Sequence, residues 1–393
     1  MSEEPNPPTP FPKKEGGAKL PLPLGEGVGG GVFDALVIGA GPAGAVAARE
    51  LARRGCSVLL VDKSHFPRAK VCGCCVNGAA VGTLKRLGLG GVLAGGVPLR
   101  DACIAAGRRS ARVKLPGGVS LSREAFDAAL VAEAVTAGVE FRDGVTAKLG
   151  DVSPGERPGS SRPVSTRITI VASGLTGGDA TPDAGSRIGA GATVSAGAVP
   201  PFFANGTIFM ATGRGGYVGL VRVEDGRLDV AAAFDVAFVK AHGGPGPAAE
   251  AVLGEVGWPR VPGLAELPWK GTPALTRRAK ALGGDRWFAV GDAAGYVEPF
   301  TGEGMAWAVM SAATLAPIAA RAVHRWDDSL VREWEAAHRR AIGTRQRACR
   351  VVSRVLRSPA LTTLAVRALS AFPVLSRPVV ARLNRPSLLG ARV

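Results

Sequence analysis

The apolar positions of this chain follow two different periods, and each predicts its own elements. In residues 33 to 62, FDALVIGAGPAGAVAARELARRGCSVLLVD, the short apolar run ALVI ends in glycines, and an Ala-rich stretch of helical type continues to about Arg54. Gly55 then stops the helix, and a second apolar run, SVLLV, ends at Asp62. Short unbroken apolar runs read as buried strands, so the segment is a strand–helix–strand unit. Residues 215 to 234, GGYVGLVRVEDGRLDVAAAF, alternate instead, which predicts a hairpin turning at Asp225-Gly226. With the β-like residues 99 to 121 and 186 to 212 it should build a mixed sheet. Further on, the strand WFAV (287–290) runs into Gly291-Asp292 and a glycine-rich turn, with a helix expected from about Gly304. Past Leu330, VREWEAAHRRAIGTRQRACRVVSRVLR spaces its apolar residues three and four apart, as helices do. A shorter, Pro-interrupted basic segment follows, and there are no internal repeats.

Composition changes this picture at the two ends. With 393 residues, 46% of them apolar, there is material for two or three packed units. Residues 1–31 are rich in Pro and Gly without an apolar period, and are expected to be a disordered N-terminal tail or translated leader. The six cysteines show no even spacing and no signal-peptide pattern is present, so a cytoplasmic location is expected. The formal charge of +16 is concentrated late: from Arg345 onward there are ten arginines and no acidic residue. Such a block suits either a solvated tail or peripheral contact with an anionic membrane. Without interleaved aromatics it does not suit nucleic acid. No run of 18 apolar residues is free of charge, so no spanning helix is expected; the longest candidate, LTTLAVRALSAFPVL, is cut by Arg367 and Pro373.

The glycines of the first unit carry its chemistry. Gly39 permits a tight turn, Gly41 lets a pyrophosphate approach the backbone, and Gly44 lets helix and strand pack closely. Pro42 and Ala43 open the helix, whose free N–H groups and partial positive charge face the phosphates. Asp62 follows 18 residues after Gly44, where a carboxylate can take the ribose hydroxyls. This is a dinucleotide site. Which dinucleotide depends on RWFAVGDAAGYVEPFTGEGM (286–305), and here the sequence resembles flavoprotein oxidoreductases of the aromatic-hydroxylase and geranylgeranyl-reductase type. The resemblance implies FAD, with Gly291 and Asp292 at the ribityl chain. It places Pro299, Gly302, Glu303, Gly304 and Met305 around the pyrimidine edge of the ring. It also makes Arg123, in LSREAFDAAL, an arginine reaching the cofactor, and sets Val145 beside the adenine. DKSHFPRAKVCG (62–73) resembles the PRxKxCG segment of the reductase branch, which adds Lys63, Arg68, Lys70 and Cys72.

KVCGCCVNG (70–78) departs from that pattern at Cys74 and Cys75. Zinc needs about four ligands, and CxCC supplies at most three with only His65 nearby, so no metal is expected. A CxC disulfide is a second reading. The preferred one sets Cys72 against the flavin as wall or proton donor, with Cys74 and Cys75 starting the next helix. Tyr217, Arg222 and Trp269 are the candidate substrate-pocket residues. Several motifs are missing. No second GxGxxG follows a strand, Ser173-Gly174 replaces the Asp-Gly pair of the hydroxylases, and neither the Trp-rich halogenase motif nor the YxWxFP motif of prenyl reductases is found.

The expected fold is α/β: a discontinuous Rossmann-like FAD-binding domain (32–98, 119–185, 271–330), a smaller mixed-sheet substrate domain (99–118, 186–270) and a basic helical C-terminal region (331–393). The expected function is FAD-dependent redox chemistry on a hydrophobic small molecule, first of all reduction of a carbon–carbon double bond in a prenyl or lipid-like substrate. The electron donor is NAD(P)H or ferredoxin-type. The alternatives are a single-component monooxygenase acting on an aromatic or polyketide-like substrate, and a non-enzymatic flavin-binding module on a membrane.

Overall fold

The computed structural model describes residues 32–149, 165–177, 179–298, 300 and 302–385. The first apolar run is the strand Val32–Ile38, the middle of a six-stranded sheet. It pairs in parallel with Val58–Asp62 on one side and Ser165–Val171 on the other. Glu140–Asp143 and Trp287–Ala289 extend the parallel set, and Gly283–Gly284 adds an antiparallel edge. The helix Pro42–Ala52 crosses this sheet with Ala45, Val46, Ala47 and Ala48 fully buried. Side chains this small let the helices Arg123–Thr136 and Gly304–His324 pack closely against it.

The second sheet has seven strands, in the order 270–274, 188–194, 228–234, 216–222, 207–213, 101–106 and 109–114. The hairpin is present as Gly216–Arg222 and Leu228–Phe234, with Gly226 at φ +79° in its turn. Alternation divides its side chains between two faces. Phe209, Val218, Leu220 and Val230 join Phe203 and the helix Pro245–Val256 in a second core. Ile208, Met210, Tyr217, Gly219 and Ala231 face the other way, into a cavity shared with the first sheet.

Two features differ from expectation. Cys74 and Cys75 do not start a helix: Cys74 sits at φ +47° and Cys75–Asn77 is a strand paired with Gly118–Ser120. The helix begins at Gly78 because Asn77 caps it, its Oδ1 accepting from Ala80 N at 3.1 Å. The basic C-terminal residues are not a tail either. The helices Thr344–Leu356, Pro359–Ala371 and Arg377–Asn384 lie along the cavity. The second packs on Asp101–Ala106 and Arg109–Lys114, the third on the helix Gly78–Arg86. Among the described residues one straight helix, Gly304–His324, is long and apolar enough to cross a membrane, and 78% of its apolar window is buried in the protein core.

Candidate FAD site

One cavity of about 1540 Å³ runs from the fingerprint glycines, between the two sheets, to the C-terminal helices. At its phosphate end the glycine requirements are steric. Gly39 has φ +102°, and a β-carbon there would stand 2.5 Å from the Ala172 carbonyl oxygen. At Gly44 a β-carbon would collide with the carbonyl of Gly39. At Gly41 the space is open instead: the nearest atoms to a β-carbon are Nη2 of Arg68 and Nη2 of Arg123, each 3.7 Å away. Asp127 fixes Arg123 by two hydrogen bonds, 2.8 Å from Nε and 2.7 Å from Nη2, and approaches Arg68 Nη1 at 3.4 Å. Two guanidiniums and the N-terminus of Pro42–Ala52 thus flank an open glycine, which fits the pyrophosphate of FAD.

Asp62 lines the cavity beside them and accepts from Ala40 N at 2.8 Å, Ser64 N at 2.9 Å and Arg68 Nη2 at 3.3 Å. Four lone-pair sites leave it capacity for a ribose hydroxyl. Val145, held by its N–H on the Asp62 carbonyl at 2.9 Å, also lines the cavity, as does Lys63.

Further in, Gly291 takes φ +62° and its N–H donates to Ser311 Oγ at 3.0 Å, which leaves Asp292 at the cavity wall. Burial pushes the Asp292 carboxyl up, against the pull of Lys70 and Arg123. Lys70 passes over Gly174, where its Nζ lies 2.9 Å from the place a β-carbon would take. The adjoining Ser173 has a buried Oγ without a partner in the cavity wall. Gly302 (φ +69°), Gly304 and Met305 line the same stretch, at the N-terminus of Gly304–His324. Pro299 lies outside the described residues.

Cys72 also faces the cavity. A hydrogen bond from the Cys74 thiol, followed by the charge of Arg123, draws its thiol down to about 6 in spite of burial. The Cys74 thiol is pushed well up by its bond to Cys72 and by burial, and burial does the same to Cys75. Among the described residues no three potential metal ligands converge.

Of the three pocket candidates only Tyr217 lines the cavity, its ring edge-on to Phe300 at 5.1 Å. Arg222 turns away because three carbonyls claim its guanidinium: Phe203 at 2.6 Å, and Gly226 and Val199 at 3.3 Å. Trp269 spends its indole N–H on the Leu264 carbonyl at 2.8 Å, also away from the cavity. Other polar residues stand close by. Glu303, fully buried, accepts from Arg345 at 2.8 Å and from the Cys349 thiol at 3.1 Å. Glu298 meets Arg187 at 3.3 Å beneath Tyr217, and Tyr296 lines the ring end. Of these, Glu303 was expected near the ring, whereas Tyr296 and Glu298 were not; their only sequence signal was a polar residue in an otherwise small or apolar turn.

Residues 32–148 match the family described as "FAD binding domain". These residues form an FAD-binding domain. Over 61 residues the chain is 51% identical to a menaquinone reductase of Mycobacterium tuberculosis (strain ATCC 25618 / H37Rv), a match covering 16% of this chain and 15% of that protein. A digeranylgeranylglycerophospholipid reductase of Methanosarcina acetivorans is 32% identical over 126 residues, 28% of each protein. Among solved structures, the flavin-dependent brominase Bmp2 superposes with a TM-score of 0.69 at 18% identity, covering 90% of this chain and 94% of that one. A flavoprotein/dehydrogenase from Cytophaga hutchinsonii gives 0.65 at 18%, covering 90% and 96%. The chain shares its overall fold with these solved flavin-dependent proteins.

Proposed function

We propose that this flavoprotein reduces a carbon–carbon double bond in a prenyl or lipid-like substrate, with NAD(P)H or a ferredoxin-type protein as donor. The observation that carries the reading is the cavity's second half. Beyond Cys72 and Tyr296 it is walled by Met210, Leu356, Val366, Leu369, Val380 and Leu383, an apolar sleeve suited to a hydrocarbon chain. The partial matches to two proteins named as reductases support the same direction. The basic C-terminal helices would hold the molecule on an anionic membrane, from which such a substrate comes; nucleic acid has no part in the reading.

FAD, when bound, supplies the two-electron hydride chemistry. Arg68 and Arg123 would hold its pyrophosphate, Asp62 its ribose, and Asp292 with the Gly302–Met305 turn its inner end. The apolar sleeve orients the alkene and excludes water. Alkene reduction also needs a proton. A thiol titrating at about 6 is mostly thiolate at neutral pH, so Cys72 serves as wall and charge rather than acid. The phenols of Tyr296 and Tyr217, pushed well up by burial, keep their protons and lie in the cavity wall.

Anaerobic turnover tests this reading. Flavoprotein reduced in turn by NADH, NADPH and a ferredoxin should convert an unsaturated isoprenoid lipid to a product two hydrogens heavier. No turnover of any unsaturated lipid would sink the reductase reading, and the reduced protein exposed to labelled O₂ giving an aromatic product that carries one labelled atom would establish the monooxygenase instead.

A further inference from the structure

We infer that Cys72 and Cys74 form a redox-active dithiol that exchanges an electron pair with FAD bound in this cleft, an inference that rests on the FAD reading above. Both cysteines are free, and a single glycine separates them. The left-handed backbone at Cys74, φ +47°, is rare for a residue with a β-carbon. It folds the loop so that the Cys74 thiol donates to the Cys72 sulfur. Two cysteines one residue apart and hydrogen-bonded through sulfur need little backbone movement to join.

Their environments are unequal in the way a dithiol couple requires. Cys72 faces the cavity, where Arg123 stabilises a thiolate, and a thiolate is the attacking species in sulfur chemistry. Cys74 is 3% exposed and stays protonated, poised as the second sulfur. On its far side stands Asp229, whose carboxyl is pushed well up by burial and by the Cys72 charge, and has an Oδ2 without a partner. The loop reaches the ring end of the cleft. The neighbouring Cys75 Cβ is 3.9 Å from the place a β-carbon on Gly302 would take.

The step balances without a further reagent. Cys72 thiolate and Cys74 thiol give up two electrons and one proton as the S–S bond forms and the Cys74 S–H bond breaks. FAD takes the electron pair and the proton and becomes FADH⁻; the reverse step reopens the disulfide. The couple thus gives the protein a second two-electron store beside the flavin.

Anaerobic dithionite titration of the oxidised holoprotein tests this directly. Wild type should take up four electrons per FAD, Cys72→Ser and Cys74→Ser two, and Cys75→Ser four. Alkylation after denaturation, which needs no variant, should find two fewer free thiols in the oxidised wild type than in the reduced, both in the peptide carrying Cys72 and Cys74. Uptake of two electrons per FAD by wild type, with both thiols alkylated in the oxidised form, would overturn the dithiol and leave FAD binding intact. Protein that takes up no FAD at all would overturn the cofactor reading and this inference with it.

Discussion

Arg123 serves two sites at once, because Asp127 fixes its guanidinium by two hydrogen bonds while the same group still faces Gly41 and Cys72. Its charge favours a phosphate on one side and a thiolate on the other. With the hydrogen bond from the Cys74 thiol, which draws it down further than Arg123 does, Cys72 should remain ionised down to about 6, far below an ordinary thiol. The sign follows: protonation quenches the nucleophile as pH falls through that value, and nothing changes near the usual thiol range. Alkylation of Cys72 by iodoacetamide, followed by peptide mass analysis, should be flat above about pH 7 and lose about tenfold per unit below about pH 6. A rate still climbing through about pH 9 would show an unperturbed thiol. Residues such as Gly39, Gly41, Gly44 and Asp62 were legible in the sequence because their constraints are local and act within one strand–helix–strand unit. Arg222 and Trp269 were misplaced because their polar ends satisfy backbone carbonyls, and a sequence does not show which carbonyls lie near.

Among the elements, the helix Thr344–Leu356 has the least expected role. Its residues Arg345 and Cys349 reach the buried Glu303 of the flavin-facing turn, and Arg345 also bonds the carbonyls of Leu383 and Arg385. Asn384 then accepts from Gly78 N at 2.8 Å, so the C-terminal end of the last helix is tied to two other helices. The spacing of apolar residues announced these helices, but their partners lie about 40 residues upstream or more, beyond any local pattern. Burial pushes the Glu303 carboxyl up, and Cys349 and Arg345 pull it back. Arg345→Ala removes one of those pulls, which raises the folded-state value further above the unfolded one. Stability tied to a raised carboxyl is complete below the unfolded value and is lost as pH rises through the folded one. The variant should thus lose stability mainly on the alkaline side, by about 3 kcal/mol or more once the carboxyl is forced to ionise unpaired. Denaturant midpoints at about pH 5 and about pH 8 check this, and Glu303→Gln in the same background should restore most of the loss. An equal loss at both pH values would mean that Arg345 contributes packing rather than charge.

At the scale of the whole molecule, charge and apolar exposure coincide on one face. Val351, Leu361, Leu364, Phe372, Val374, Leu375 and Val379, each at least 52% exposed, all belong to the last three helices and the turn between them. Arg354, Arg367, Arg377 and Arg382 stand among them, and no acid occurs after Glu335. The block of arginines was legible from composition; which apolar residues remain outside the core was not, since that depends on how the helices close over the cavity. Val351, Leu375 and Val379 are both exposed and part of the cavity wall, so the cavity opens on this same face. An opening rimmed by apolar side chains and cations suits a leaflet of anionic lipid: there the arginines would meet phosphates at about 1 kcal/mol each while the Leu, Val and Phe side chains would bury shallowly. Removing the whole segment would also uncover Glu303, so the cleaner test leaves the helices in place. Leu364 and Phe372 are 63% and 62% exposed and do not line the cavity. The double variant Leu364→Asp, Phe372→Asp should therefore keep its FAD and its fold. It should also lose most of its co-sedimentation with phosphatidylglycerol-containing vesicles, and wild-type binding should weaken as salt is raised. Sedimentation of the variant at the wild-type level would show that this face does not meet the membrane.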